Sequence, residues 1–170
     1  MNAIPPCTPG KRISHTLWKR GGDVALALLD NQTIIGFAVL DYPEENERWA
    51  RLGGKIVMAL KAVEVLREFR NQGIARQLLT HLFSDVRLED EIVYLTAYSW
   101  TWDLDYAGLD PLSYGEMLVS LYAGFGFKAQ LTNDPNICLK PENIFMVRMG
   151  KNVVHGIQVK FKWLRFGVSI

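Results

Sequence analysis

Glu64-Val65-Leu66-Arg67-Glu68-Phe69-Arg70-Asn71-Gln72-Gly73-Ile74-Ala75-Arg76-Gln77-Leu78-Leu79 joins two kinds of sequence. The run leading into it, from Ile56 to Leu66, is mostly apolar and strand-like. Beyond the glycine, Ile74, Leu78, Leu82 and Val86 recur four apart and Leu79 and Phe83 widen the stripe, which predicts an amphipathic helix from about Gln72 to Arg87. The order is strand, turn, helix. A helix start gathers unpaired N–H groups and the positive end of a dipole at one point, and Arg70 and Arg76 add charge beside it. The stretch therefore predicts an anion site suited to a phosphorylated ligand.

Upstream, Val24–Leu29 and Thr33–Tyr42, separated by Asp30-Asn31-Gln32, predict a hairpin, and the polar segment from Pro43 to Gly54 a loop or short helix. Residues 1–23, with Pro5, Pro6 and Pro9, read as an irregular lead-in to a single domain over 24–170. Downstream, Ile92–Tyr98 completes a strand–helix–strand unit, which implies a right-handed parallel crossover. An aromatic run from Tyr98 to Tyr106 precedes a helix that Ser113 and Glu116 would start as a capping box and that ends near Gly124. Phe125-Gly126-Phe127 opens a strand, Asn133–Asn143 reads as a loop, and Ile144–Met149 as another strand. Alternation from Val159 to Phe166 predicts an edge strand or docking surface.

The chain has 170 residues, enough to bury a core without staples, and its 19 basic and 18 acidic residues create no field that would call for nucleic acid or an anionic membrane. Lys160-Phe-Lys162-Trp-Leu-Arg165 interleaves bases with aromatics, but no RNA-recognition pattern accompanies it. No apolar run reaches a membrane span and no signal-peptide core is visible, so a cytoplasmic location is the expectation, with Cys7 and Cys138 as reduced thiols. His15, His81 and His155 lack ligand spacing, so no metal is expected.

Arg70-x-x-Gly73-x-Ala75, followed by Tyr122-x-x-x-Gly126-Phe127 at a helix end, resembles the coenzyme A-binding pattern of the GNAT superfamily of N-acetyltransferases. Within it, Ile-Ile-Gly36-Phe, Tyr42-Pro43, Glu47-Arg48-Trp49, Trp100-x-Trp102-Asp103-Leu104 and Arg148-Met-Gly150-Lys151-Asn152-Val153 resemble the acetoin-utilisation acetyltransferases, which acetylate a lysine of acetyl-CoA synthetase. The resemblance implies an α/β (α+β) fold: a mixed, mostly antiparallel twisted sheet with a central parallel strand pair flanked by helices. It also implies acetyl-CoA as co-substrate and a protein lysine, on an acyl-CoA synthetase, as acceptor. It fails before residue 24, and Ala97 stands where an acidic residue is expected.

An amine must be neutral to attack a thioester, and free lysine, with a pKa of about 10.4, is protonated at neutral pH. Glu64, an acid within an apolar strand, is the candidate general base, with half-burial expected to raise its pKa; pairing with Lys61 or Arg67, or facing solvent at a sheet edge, is the other reading. The resemblance makes Tyr122 the candidate proton donor to the departing sulfur, with a core aromatic as the alternative. It further implies that the amides of Asn71, Gln72, Gly73, Ile74, Ala75 and Arg76 hold the pyrophosphate, with charge from Arg70 and Arg76, and that Val65 and Leu66 pair with the pantetheine arm. Trp100, Trp102 and Asp103 either line the acceptor groove, the carboxylate drawing in an ammonium, or simply cap the core. A small amine as acceptor and a non-catalytic acetyl-CoA-binding regulator are the alternative functions.

Overall fold

The computed structural model describes residues 11–17 and 21–168. Among these residues seven strands form one sheet: β1 (Lys11–Leu17), β2 (Asp23–Leu29), β3 (Thr33–Asp41), β4 (Val57–Val65), β5 (Ile92–Ala97), β6 (Lys128–Ala129) and β7 (Ile144–Met149). Their spatial order is β1-β2-β3-β4-β5-β7-β6. Only β4 and β5, at its centre, are parallel. The mixed sheet with one central parallel pair is the architecture the resemblance implied. Among the described residues no helix is long and apolar enough to cross a membrane.

Strand alternation builds two cores from one sheet. Met58 and Leu60 of β4, Val93 and Leu95 of β5 and Met146 of β7 share one buried cluster with Ile74, Leu78, Leu79 and Leu82 of helix α1 (Ile74–Leu82), which lies chiefly over β2 and β3. The intervening Val57, Ala59, Ile92, Tyr94, Phe145 and Val147 pack on the other face against Trp49 and, from the last helix, Phe161 and Leu164.

Several local expectations are corrected. The lead-in is not irregular throughout: Lys11–Leu17 pairs along its whole length with β2. The rest of the expectation for residues 1–10 and 18–20, Cys7 included, lies outside the described residues. Helix α1 stops at Leu82, because Asp85 accepts from the Arg87 amide and starts a separate 3-10 turn over Val86–Glu89, leaving Val86 exposed. After the one-turn helix α2 (Leu104–Ala107), helix α3 (Pro111–Ala123) is capped by Asp110, which accepts from the Leu112 and Ser113 amides with Pro111 at the first position; Ser113 donates its hydroxyl to Asp110 and is not itself the cap. One turn, α4 (Pro135–Cys138), lies inside the expected loop, and its Cys138 is exposed. The tail is helix α5 (His155–Leu164), not an edge strand. Ile157, Phe161 and Leu164 are spaced to meet the Trp49 side of the sheet, and that burial overrides the alternation of Val159, Phe161 and Trp163.

Two features of β4 place the site. A register shift on β3 between Val39 and Leu40 leaves Lys61 outside the β3–β4 pairing. On the other side, β4 pairs with β5 only from Val57 to Ala59. From Leu60 and Leu95 onward the two strands line opposite walls of a cavity of about 820 Å³.

Candidate active site

The cavity's anion end is built by the turn after β4. A 3-10 turn over Arg67–Phe69 leads to Asn71 at φ 60° and Gly73 at φ 75°, both left-handed, and α1 then begins. The first bond of that helix runs from the Gln77 amide to the Gly73 carbonyl, so the amides of Ile74, Ala75 and Arg76 have no acceptor within the helix. A Cβ on Gly73 would meet only Gln77 Nε2, at 3.9 Å. The glycine is thus required within the protein by its dihedral and not by crowding. Gln72 donates its side-chain amide to the Glu68 carbonyl, bracing the turn. Arg76 has no ion pair among the described residues and extends toward Gly124 at the end of α3.

Arg70 is placed differently from the sequence expectation. Its Nε donates to the Val65 carbonyl at 3.0 Å and Nη1 to Asp103 at 2.7 Å, while Arg67 grips the same carboxylate through two bonds of 2.7 and 2.8 Å. Both guanidinium groups lie over the Tyr106 ring, whose hydroxyl donates to the Arg67 carbonyl. The charge on Arg70 is therefore shared with Asp103. Conversely, the bonds from Arg67 and then Arg70 hold the Asp103 carboxyl below its usual range, so this acid is already neutralised and is not a free attractor for a lysine ammonium. Trp102 does line the cavity, stacked on Tyr114 at 5.2 Å, but Trp100 stacks outward on Tyr98 at 4.8 Å and is not part of the wall.

Along β4 the Leu66 amide donates to the Ile35 carbonyl of β3, so Leu66 is unavailable to a pantetheine arm. Because strand polar groups alternate in direction, Val63 and Val65 turn theirs the other way, toward the cavity, where the Val65 carbonyl already accepts from Arg70. Glu64 lines the cavity and is exposed, not half-buried, because the parting of β4 from β5 removes the neighbour that would have covered it. The alternative pairings are taken elsewhere: Lys61 binds Glu47 at 2.9 Å and Arg67 binds Asp103.

Tyr122 is buried on α3 with its ring edge-on to Phe127 at 6.0 Å, and it also borders the cavity. Burial, reinforced by the fields of Tyr114 and Glu64, pushes its pKa up to about 12. The phenol therefore keeps its proton at neutral pH. Tyr114 was missed from the sequence. It stands eight residues before Tyr122 with Leu118 between, all on one helix face and all lining the cavity, and that spacing is the signal that would have found it.

The description "Acetyltransferase (GNAT) family" matches residues 5–101. The chain belongs to this family. The GNAT match begins upstream of residue 24, where the resemblance read from the sequence stopped. Over 135 residues the chain is 33% identical to the acetoin utilization protein AcuA of Bacillus licheniformis, covering 79% of this chain and 64% of that protein. Over 137 residues it is 33% identical to the AcuA of Bacillus subtilis, covering 81% and 65%. The chain thus spans just under two thirds of the length of these relatives. A crystal structure of an acetoin utilization protein from Exiguobacterium sibiricum superposes with a TM-score of 0.80 at 32% identity, over 85% of this chain and 68% of that one.

Proposed function

We propose that this GNAT member transfers the acetyl group of acetyl-CoA directly to a lysine side-chain amine of a protein, an acyl-CoA synthetase on the resemblance of its motifs to the acetoin-utilisation acetyltransferases. The observation that carries the reading is the single cavity between β4 and β5, which Glu64, Tyr122 and the N-terminus of α1 all border. The residues present suit coenzyme A: first-turn amides and Arg76 for the pyrophosphate, the Val63 backbone groups and the Val65 amide for the pantetheine arm. Acetyl-CoA supplies an activated thioester carbonyl.

In this scheme Glu64 takes a proton from the acceptor ammonium, directly or through water, leaving the nitrogen lone pair free to attack. A strand amide near Val65 donates a hydrogen bond to the carbonyl oxygen as its charge grows. Collapse of the tetrahedral intermediate breaks the C–S bond; Tyr122 gives a proton to the departing sulfur and regains one from the second proton the nitrogen sheds, so the products are an amide and the free thiol, with the first proton passing from Glu64 to solvent. Among the described residues that line the cavity none is a cysteine, which favours direct transfer over an acetyl-enzyme.

Glu64→Gln tests the base. Turnover should fall by about 10²- to 10⁴-fold while acetyl-CoA affinity is kept; unchanged turnover removes Glu64 from the role. For the acceptor, labelled acetyl-CoA is incubated with the enzyme and cell proteins, and acetylated lysines are read by mass spectrometry. Faster acetylation of free polyamines than of any protein overturns the protein-lysine reading, and acetyl-CoA binding without thiol release overturns catalysis itself.

A further inference from the structure

A small cavity of about 190 Å³ lies away from the β4–β5 cleft, where β6 and β7 meet α5. Its floor is apolar, formed by Val147, Met149 and Phe161, and its rim carries Lys128, Lys162 and Arg165. Among the described residues no acidic side chain lines it. Lys128 and Lys162 have no ion pair among the described residues, and neither has Arg165, which donates to the Gln130 side-chain carbonyl. A guanidinium has five N–H donors, so donors remain for a ligand.

Burial lowers the proton affinity of Arg165 and no carboxylate offsets the cost. The neighbouring cation Arg148 is occupied on the other face of β7, donating to the Leu88 carbonyl and pairing with Glu89. The end of α5 would oppose an anion through its carbonyl dipoles, but Arg48 donates to the Leu164 and Arg165 carbonyls and screens them. What remains is uncompensated positive charge around an apolar floor.

We propose that this cavity binds a small phosphate monoester, its phosphate held by Lys128, Lys162 and Arg165 and its short carbon chain lying on Val147, Met149 and Phe161. The volume is below the roughly 300 Å³ at which pockets for larger ligands begin, which limits the ligand to a phosphate with a few carbons. Three cations suit a dianion better than a monocarboxylate.

The test is a titration of 15N-labelled protein with propyl phosphate and, separately, with inorganic phosphate, following the Gly126 and Gln130 amides at this site and the Gly73 amide at the turn before α1. Saturable shifts at Gly126 and Gln130 are expected for both probes, with propyl phosphate binding more tightly. In the Lys128→Gln/Lys162→Gln double variant the affinity should fall by at least about tenfold, the factor set by about 1.4 kcal/mol, while the spectrum stays otherwise unchanged. Shifts confined to Gly73, no shift at either site, or wild-type affinity in the variant would each overturn the site. Equal affinity for the two probes would overturn the monoester assignment. Because Gly73 reports the proposed coenzyme A turn separately, failure of one site is distinguishable from failure of the other.

Discussion

At Glu91, Oε1 stands 3.5 Å from the Tyr42 hydroxyl and Oε2 is buried with no hydrogen-bond partner among the described residues. Burial is the largest cause of a pKa pushed up to about 7; Arg87 and Tyr42 oppose it, and the Asp23 and Asp85 carboxylates add to it. A carboxyl whose folded pKa lies above its unfolded value of about 4.3 stabilises the fold fully below that value and loses the contribution as pH rises through the folded pKa. The melting temperature should therefore drop between about pH 5 and pH 8, and Glu91→Gln should flatten that slope in a series of thermal melts. Tyr122 has the same sign at higher pH: its contribution is present below about 10 and is lost as pH rises through about 12. Tyr122→Phe should lower kcat by about 10²-fold or more at every pH from 6 to 9, since the wild-type phenol stays protonated across that range; a loss seen only on the alkaline side would be inconsistent with a proton donor. Glu64, Tyr122 and the glycine turn could be named as candidates from the sequence because each sits in a local pattern, and all three border one cavity. Tyr114 and the pairing of Arg70 with Asp103, 33 residues apart, were not, because no local signal joins residues from different elements.

Between elements, Gly36 sets how closely β3 approaches β4. A Cβ there would lie 2.9 Å from the Glu64 carbonyl oxygen and 3.3 Å from Val65 Cγ2, so the strand bearing Glu64 would have to shift. Gly36→Ala should lower both melting temperature and turnover, measured by calorimetry and by thiol release. Gly73→Ala differs, because its surroundings are open and only the left-handed dihedral is strained, at about 1–2 kcal/mol. That variant should stay folded and show a raised KM for acetyl-CoA with a smaller change in kcat. The misread elements fail for related reasons. Asp110-Pro111 outcompeted Ser113 as a helix start because proline presets the first helical dihedral, and α5 is helical because its buried positions are chosen by Trp49, a partner more than a hundred residues away in the chain.

Across the whole molecule, the segment Glu47-Arg48-Trp49 ties the second core together. Glu47 accepts from Lys61 and from the Tyr94 hydroxyl, Arg48 donates to the last carbonyls of α5, and Trp49 stacks on Phe145 and Phe161 at 5.5 and 4.8 Å. Trp49→Ala should cost about 3–5 kcal/mol, seen as a lower denaturation midpoint and early proteolysis within α5. The sequence by itself determined the strand–turn–helix unit, the glycine turn that opens its helix and the parallel crossover around it, since apolar period and glycine conformation act within a few residues. Only the tertiary structure decided that β4 and β5 part after three residue pairs, that Glu64 is exposed to the resulting cavity, that Asp103 is spent on two arginines and that the tail is a helix. Those outcomes depend on which distant surfaces become neighbours, and burial and charge neutralisation are energies of the assembled chain.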